Sequence, residues 1–64
     1  MRETPLEVSL KYVHGITWPV TKPVLLEAME RNGAPPDVLA AMHESDKTRF
    51  VSPAAVQMVL WVRA

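Results

Sequence analysis

The stretch from residue 17 to residue 36, TWPVTKPVLLEAMERNGAPP, constrains the fold more than any other part of the chain. Thr21 can cap a helix, and Pro23 fits the first turn because its missing N–H removes no helical bond. Gly33 can take the left-handed conformation that ends a helix, and the two prolines that follow Ala34 prevent its continuation. We predict an amphipathic helix between these signals. Its buried arc contains Val24, Leu25, Ala28 and Met29, with Leu26 at the margin.

Two short extended segments precede helices in a similar way. Trp18 is held extended by the proline after it, and Phe50 stands just before Ser52 and Pro53, which can cap and begin a helix. Two such segments could lie side by side as a minimal pair of strands, with the aromatic rings covering the helix ends. We expect both rings to be largely buried and close to each other or to the same helix ends.

Residues 5–14 carry two competing patterns. Leu6, Val8, Leu10 and Tyr12 alternate with polar residues, as in a half-buried strand. The run from Thr4 to Glu7 instead has the form of a capping box with proline at the first helical position, and Gly15 could end the helix that follows. We favour the helix and leave the strand open.

A third helix is predicted from Pro36 to about Glu44 and a last one from Pro53 to Ala64. The fold class is therefore mainly α: a single small domain over residues 1–64, with about four short helices and two short extended segments, around Trp18 and Phe50, that could pair. The ends, residues 1–4 and 64, are expected to be frayed.

Composition excludes several classes of protein. The chain has 64 residues and no cysteine, so disulfides and thiolate metal sites are absent, and oligomerisation is the remaining common way to stabilise so small a domain. Seven basic residues balance seven acidic ones and form no cluster, which argues against nucleic-acid binding. No apolar run approaches the roughly 20 residues of a membrane span, and no signal peptide is visible. We expect a cytoplasmic protein.

No group of side chains has the form of a catalytic, metal-binding or cofactor-binding site. His14 and His43 lie near predicted helix C-termini, where a cap is a simpler role than metal binding. Ser9, Ser45 and Ser52 have no neighbouring base. Lys22 stands at a helix N-terminus, and we interpret it as a solvated lysine whose stem covers Trp18 rather than as an anion-binding residue. We therefore predict no enzyme activity, no cofactor, no metal and no small-molecule substrate.

The last helix has almost no polar face. Val56, Val59 and Leu60 are predicted to face the core, which leaves Met58, Trp61 and Val62 on an outer arc. These three residues, with Val8 and Tyr12 of the first helix, are the predicted partner-binding set. The alternative is that Trp61 folds back against Val8 and Tyr12 within the monomer.

Several short motifs occur in a characteristic order. They are Val13-x-Gly15-Ile16-x-Trp18-Pro19-x-Thr21-Lys22, then Asn32-Gly33-Ala34, and later Phe50-x-Ser52-Pro53-x-x-Val56. Between residues 13 and 59 the chain resembles the small bacterial domain-of-unknown-function family numbered 2795, with Trp18 and Phe50 where tyrosine is more usual. The resemblance implies a small, mostly helical domain without an assigned activity, and it supplies no catalytic residues.

Two functions remain open. The first is a protein-interaction or assembly module whose apolar last helix docks on itself or on a larger partner. The second is a small nucleic-acid-binding regulator, because the helices on either side of Gly33 resemble a helix-turn-helix. The second of these helices, residues 36–44, carries two acids and neither arginine nor lysine, so we favour the first function.

Overall fold

Prolines stand at the beginning of all four helices. In the computed structural model, which describes residues 3–63, the helices are α1 (Pro5–Lys11), α2 (Lys22–Arg31), α3 (Pro36–Glu44) and α4 (Pro53–Arg63). Two strands of two residues each, β1 (Val20–Thr21) and β2 (Arg49–Phe50), precede α2 and α4. The predicted mainly α fold with four short helices is confirmed.

Residues 5–14 carry both a strand pattern and a helix pattern in the sequence, and the capping box at the start of α1 favours the helix. The Thr4 hydroxyl accepts a hydrogen bond from the Glu7 N–H at 3.2 Å, and the Glu7 carboxylate accepts one from the Thr4 N–H at 3.2 Å. The residues form a helix, so Val8 is buried while Leu6 and Leu10 are exposed.

The end of α1 differs from the prediction. The helix ends at Lys11, four residues before Gly15, because the chain turns after Tyr12. Gly15 has a φ of +76° and serves that turn rather than the helix end. Of the ends predicted to fray, residues 1, 2 and 64 lie outside the described residues. Residue 3 makes side-chain hydrogen bonds, and residue 4 caps α1.

The turn between α2 and α3 closes as the glycine and the two prolines predict. Gly33 has a φ of +88°, its N–H donates to the Glu30 carbonyl, and the Ala34 N–H donates to the Met29 carbonyl. These two bonds form a Schellman motif, which satisfies the free carbonyls at the end of α2. The predicted positive φ at Gly33 is confirmed, and α3 has the predicted bounds.

The two extended segments pair, but slightly later on the Trp18 side than the sequence indicates. β1 and β2 are antiparallel, with Val20 opposite Phe50 and Thr21 opposite Arg49. Trp18 is joined to Pro19 by a cis peptide bond and packs partly buried against the core, whereas Phe50 is fully buried. The predicted burial is therefore complete for Phe50 and partial for Trp18.

Thr21 occupies the N-cap position of α2, but its side chain makes no capping hydrogen bond. The chain still follows the strand pairing here, and the Lys22 N–H donates to the Thr48 carbonyl at 2.9 Å. The first helical N–H is thus satisfied by the neighbouring segment, and the predicted hydroxyl cap is wrong.

The core lies where α4 packs on α1 and α3 and where α3 packs on α2. Its fully buried large side chains are Val8, Leu25, Met29, Val38, Met42, Phe50, Val56 and Leu60. On α2 the buried arc is rotated from the predicted one, because Val24 is 56% exposed whereas Leu26 packs partly against the core. The packing of β1 and α3 against α2 determines which face of α2 is buried, and this face cannot be predicted from the helical period alone.

Candidate protein-interaction surface

The outer face of α4 carries large apolar side chains in water. Met58 is 68% exposed, Trp61 66% and Val62 88%, whereas Val56 and Leu60 on the inner face are fully buried. A helix that is apolar nearly all round is normally covered on all sides, and this domain covers only one side. The predicted outer arc is confirmed, and the alternative in which Trp61 is buried against α1 is wrong.

The structure places the two α1 members of the predicted partner-binding set elsewhere. Val8 is fully buried in the core, so a partner cannot reach it. Tyr12 is half-buried and donates its hydroxyl hydrogen bond to Glu3 Oε1 at 2.7 Å. Both residues face inward because α1 turns this side towards the rest of the domain.

The α1 residues that do reach the surface near α4 are Leu6 and Leu10, both more than half exposed. Gln57 Nε2 lies 3.4 Å from the Ser9 hydroxyl, which places this flank of α4 beside α1. Trp61 follows Gln57 by one helical turn and shares its flank. On α1, Leu6 and Leu10 lie next to Ser9 on the side of the helix that faces solvent. Sequence reasoning missed them because the alternating strand pattern assigns both residues to a buried face.

An apolar groove of about 450 Å³ runs along α4 from Ala54 to Val62. Ala54 and Ala55 leave room where a larger side chain would fill the space, and the exposed Val51 borders it. The lining residues are Lys47, Val51, Ser52, Ala54, Ala55, Met58, Val59 and Val62.

We call the exposed side chains of Leu6, Leu10, Val51, Met58, Trp61 and Val62 the apolar surface.

A second cleft, of about 440 Å³, lies on another part of the domain and is lined by both apolar and charged residues. Its Glu3 carboxylate accepts hydrogen bonds from Lys11 Nζ at 2.8 Å and from the Tyr12 hydroxyl at 2.7 Å. The bond from Lys11, followed by that from Tyr12, lowers the pKa of Glu3, and the bond to Glu3 raises the pKa of Tyr12. These groups satisfy one another, so the arrangement fastens the N-terminal segment to the end of α1.

Lys22 has a role that neither sequence interpretation anticipated. Its Nζ donates to the His43 carbonyl at 2.6 Å and also to the Ser45 carbonyl. The ammonium group therefore satisfies carbonyls at the C-terminus of α3, where a positive charge is also favoured by the helix dipole. The interpretation of the Lys22 ammonium as solvated is wrong.

The remaining polar residues singled out in the sequence serve helix ends and turns. His14 Nδ1 lies 3.2 Å from the Lys11 carbonyl at the end of α1. Asn32 Nδ2 donates to the Tyr12 and His14 carbonyls at 3.0 and 3.1 Å, which joins the end of α2 to the loop after α1. Within residues 3–63 no three His, Asp or Glu side chains are grouped as metal ligands.

The exposed positions of α3 are Pro36, Asp37, Ala40, His43 and Glu44. A recognition helix uses arginine, lysine or amide side chains to contact phosphates and base edges, and this face offers two carboxylates instead. In the part of the chain that the structure describes, no helix is long and apolar enough to cross a bilayer.

The family model described as "Protein of unknown function (DUF2795)" matches residues 4–57 of the 64-residue chain. The chain belongs to this family, as the order of its motifs indicated, and the match begins earlier than residue 13. No curated protein and no solved structure matches the chain.

Proposed function

We propose that this member of the DUF2795 family is a non-catalytic protein-interaction or assembly module that docks on a second copy or on a larger protein through the outer face of α4. The observation that carries the proposal is the adjacent exposure of Met58, Trp61 and Val62 on one helix. We place this role in the bacterial cytoplasm, since a chain without cysteine suits a reducing compartment.

Leaving these apolar side chains in water has a free-energy cost that a partner would remove. Burying an exposed valine or methionine side chain stabilises a complex by about 1.5–3 kcal/mol before the costs of association. Tryptophan and methionine are enriched at the centres of interfaces, and large exposed apolar patches mark interaction sites. An uncovered surface of this kind would otherwise favour non-specific aggregation.

Nucleic-acid binding has less support from the same residues. The α2 and α3 pair has the connectivity of a helix-turn-helix, but the Lys22 ammonium is used within the fold and the exposed face of α3 is acidic. Duplex DNA would meet repulsion there, because binding depends on neutralising phosphates.

Site-specific photo-crosslinking in the native host tests the proposal. Benzoylphenylalanine replaces Val62 in one variant and Val24, an exposed valine on α2, in a matched control. We expect discrete adducts from position 62 and none from position 24. Adding Trp61→Glu to the position-62 variant should lower the adduct yield at least tenfold while the circular dichroism spectrum stays helical. Equal yields from the two positions would contradict the proposal.

A further inference from the structure

We infer that the partner on the apolar surface is a second copy of this chain, bound through an antiparallel, two-fold symmetric pair of α4 helices in which Trp61 of each copy packs over Ala54 of the other. The inference rests on the proposed function and names its partner. It follows from the shape, area and charge of the exposed face of α4.

Side-chain size changes along the outer face of α4. Its N-terminal half carries the exposed Ala54, with the buried Ala55 beside it, its middle carries Met58, and its C-terminal half carries Trp61 and Val62. At a rise of about 1.5 Å per residue, Ala54 lies about 6 Å before Met58, and Trp61 about 4.5 Å after it. An antiparallel pair centred on Met58 therefore sets the small half of each helix against the large half of the other.

The two flanks of the helix also match. At 100° per residue, Trp61 and Ala54 lie on one flank of Met58, and Val62 and Ala55 lie on the other. The two-fold axis stands perpendicular to the plane that contains both helix axes. It reverses the direction of the second helix and leaves corresponding flanks of the two helices on the same side of the pair. Trp61 thus meets the exposed Ala54 of the second copy, Val62 meets the groove that Ala55 helps to line, and the two Met58 side chains meet at the axis.

The groove that Ala55, Val59 and Val62 line lies on the Val62 flank of Met58 and receives Val62 of the second copy. It measures about 450 Å³ and is bordered by Val51 and Met58, whereas the Trp61 of the same chain does not line it. In the proposed pair, Trp61 of the second copy lies on the opposite flank, over Ala54, while its Val62 enters the groove.

The area agrees with a dimer. At roughly 100 Å² for a fully exposed aliphatic side chain and ~200 Å² for a fully exposed indole, the exposed fractions of the apolar surface amount to about 500 Å² per copy. Two copies would bury about 1,000 Å², the lower bound of specific interfaces. This takes about an eighth of the 4120 Å² surface of each domain.

Charge does not oppose the pairing. From Pro53 to Val62, α4 has no charged residue, so two copies of it can face each other without like-charge repulsion. This property favours contact between identical surfaces, because a charge on the two-fold axis would meet its own copy.

Disulfide trapping tests the inference cleanly because the chain has no cysteine. Met58→Cys places one thiol at the proposed axis, and Val24→Cys places one on α2 as the control; both replaced side chains are exposed. Under mild oxidation at micromolar concentration, we expect Met58→Cys to form a covalent dimer at least ~10-fold faster, because the paired thiols have a raised effective concentration. Equal rates would overturn the inference.

A second pair of variants tests the small-against-large contact. Ala54→Trp fills the space that receives the indole, and Ala40→Trp makes the same change at an exposed position of α3. In the Met58→Cys background, Ala54→Trp should slow trapping at least tenfold and Ala40→Trp should not. Circular dichroism confirms that each variant is folded, and equal effects of the two changes would overturn the proposed pairing.

The two proposals can fail separately. Adducts from position 62 with a different protein, together with no trapping at position 58, would keep the interaction module and overturn the dimer. No adducts and no trapping would overturn both.

Discussion

Single polar side chains join parts of this domain that are distant in sequence. Lys22 binds carbonyls at the end of α3, Asn32 binds carbonyls in the loop after α1, and Glu3 binds Lys11 and Tyr12. Sequence reasoning found none of these contacts, because a residue's spacing within its own helix says nothing about which distant carbonyl lies beside it. Local devices such as the Thr4 capping box and the Gly33 turn were predicted, since all their atoms lie within a few residues.

Gly33 tests the strength of a local device. A Cβ added there meets no atom within 4 Å, so Gly33→Ala costs backbone strain alone, about 1 kcal/mol in the free energy of unfolding. Urea denaturation measures it. Asparagine tolerates positive φ better than alanine, so Gly33→Asn should recover part of the loss. Equal stability of Gly33→Ala and the unchanged chain would contradict the argument.

Glu3 should make stability depend on acid pH. Its pKa is lowered from the ordinary value of 4.5 by the bonds from Lys11 and Tyr12, so its stabilising contribution is complete above that value. The contribution is lost as the pH falls through the lowered pKa of the folded state. The difference in unfolding free energy between the unchanged chain and Glu3→Gln should therefore be largest at neutral pH and shrink below pH 4.5.

The control for this pH dependence is Glu27→Gln, an exposed change on α2. Urea titrations of all three proteins at neutral and acid pH give the comparison. A difference between Glu3→Gln and the unchanged chain that stays constant from neutral to acid pH would contradict a role for the Glu3 carboxylate.

Among the elements, helix beginnings were predicted better than helix faces. The bounds of α3 and the starts of α1 and α4 follow from proline and capping residues, whose signals are local. The buried face of α2 was misplaced at Val24, because the strand pair and α3 decide how α2 is rotated. On α4 the predicted inner and outer faces were correct, since only one arrangement buries Val56 and Leu60 together.

Lys22→Met tests whether α3 depends on α2 for its C-terminal cap. The change keeps an apolar stem and removes the donor to the His43 and Ser45 carbonyls. We expect a loss of about 1 kcal/mol in the free energy of unfolding, because charge-assisted hydrogen bonds at partly exposed sites are weakened by solvent. Arg49→Met removes an exposed cation from β2 and should have a smaller effect in the same urea titration.

At the scale of the whole molecule, stability and association are connected. A domain of about 60 residues buries a smaller share of its surface than larger domains do, and this one leaves its most apolar helix half covered. A second copy that covers α4 would add the burial that one chain lacks. Sequence patterns predicted the uncovered arc, whereas the groove beside Ala54 became visible only when the segment through Val51 was placed against α4.

Thermal unfolding should therefore depend on protein concentration. A dimer that dissociates on unfolding gains about 1.4 kcal/mol of stability for each tenfold rise in concentration, or about 0.7 kcal/mol per chain. For a domain of this size that raises the midpoint by about 3–6 °C per tenfold step in scanning calorimetry. Val62→Glu places a charge in the interface and should abolish the dependence, whereas Val24→Glu, on exposed α2 surface, should keep it. A midpoint of the unchanged chain that stays constant from micromolar to millimolar concentration would mean that α4 is not covered by a second copy.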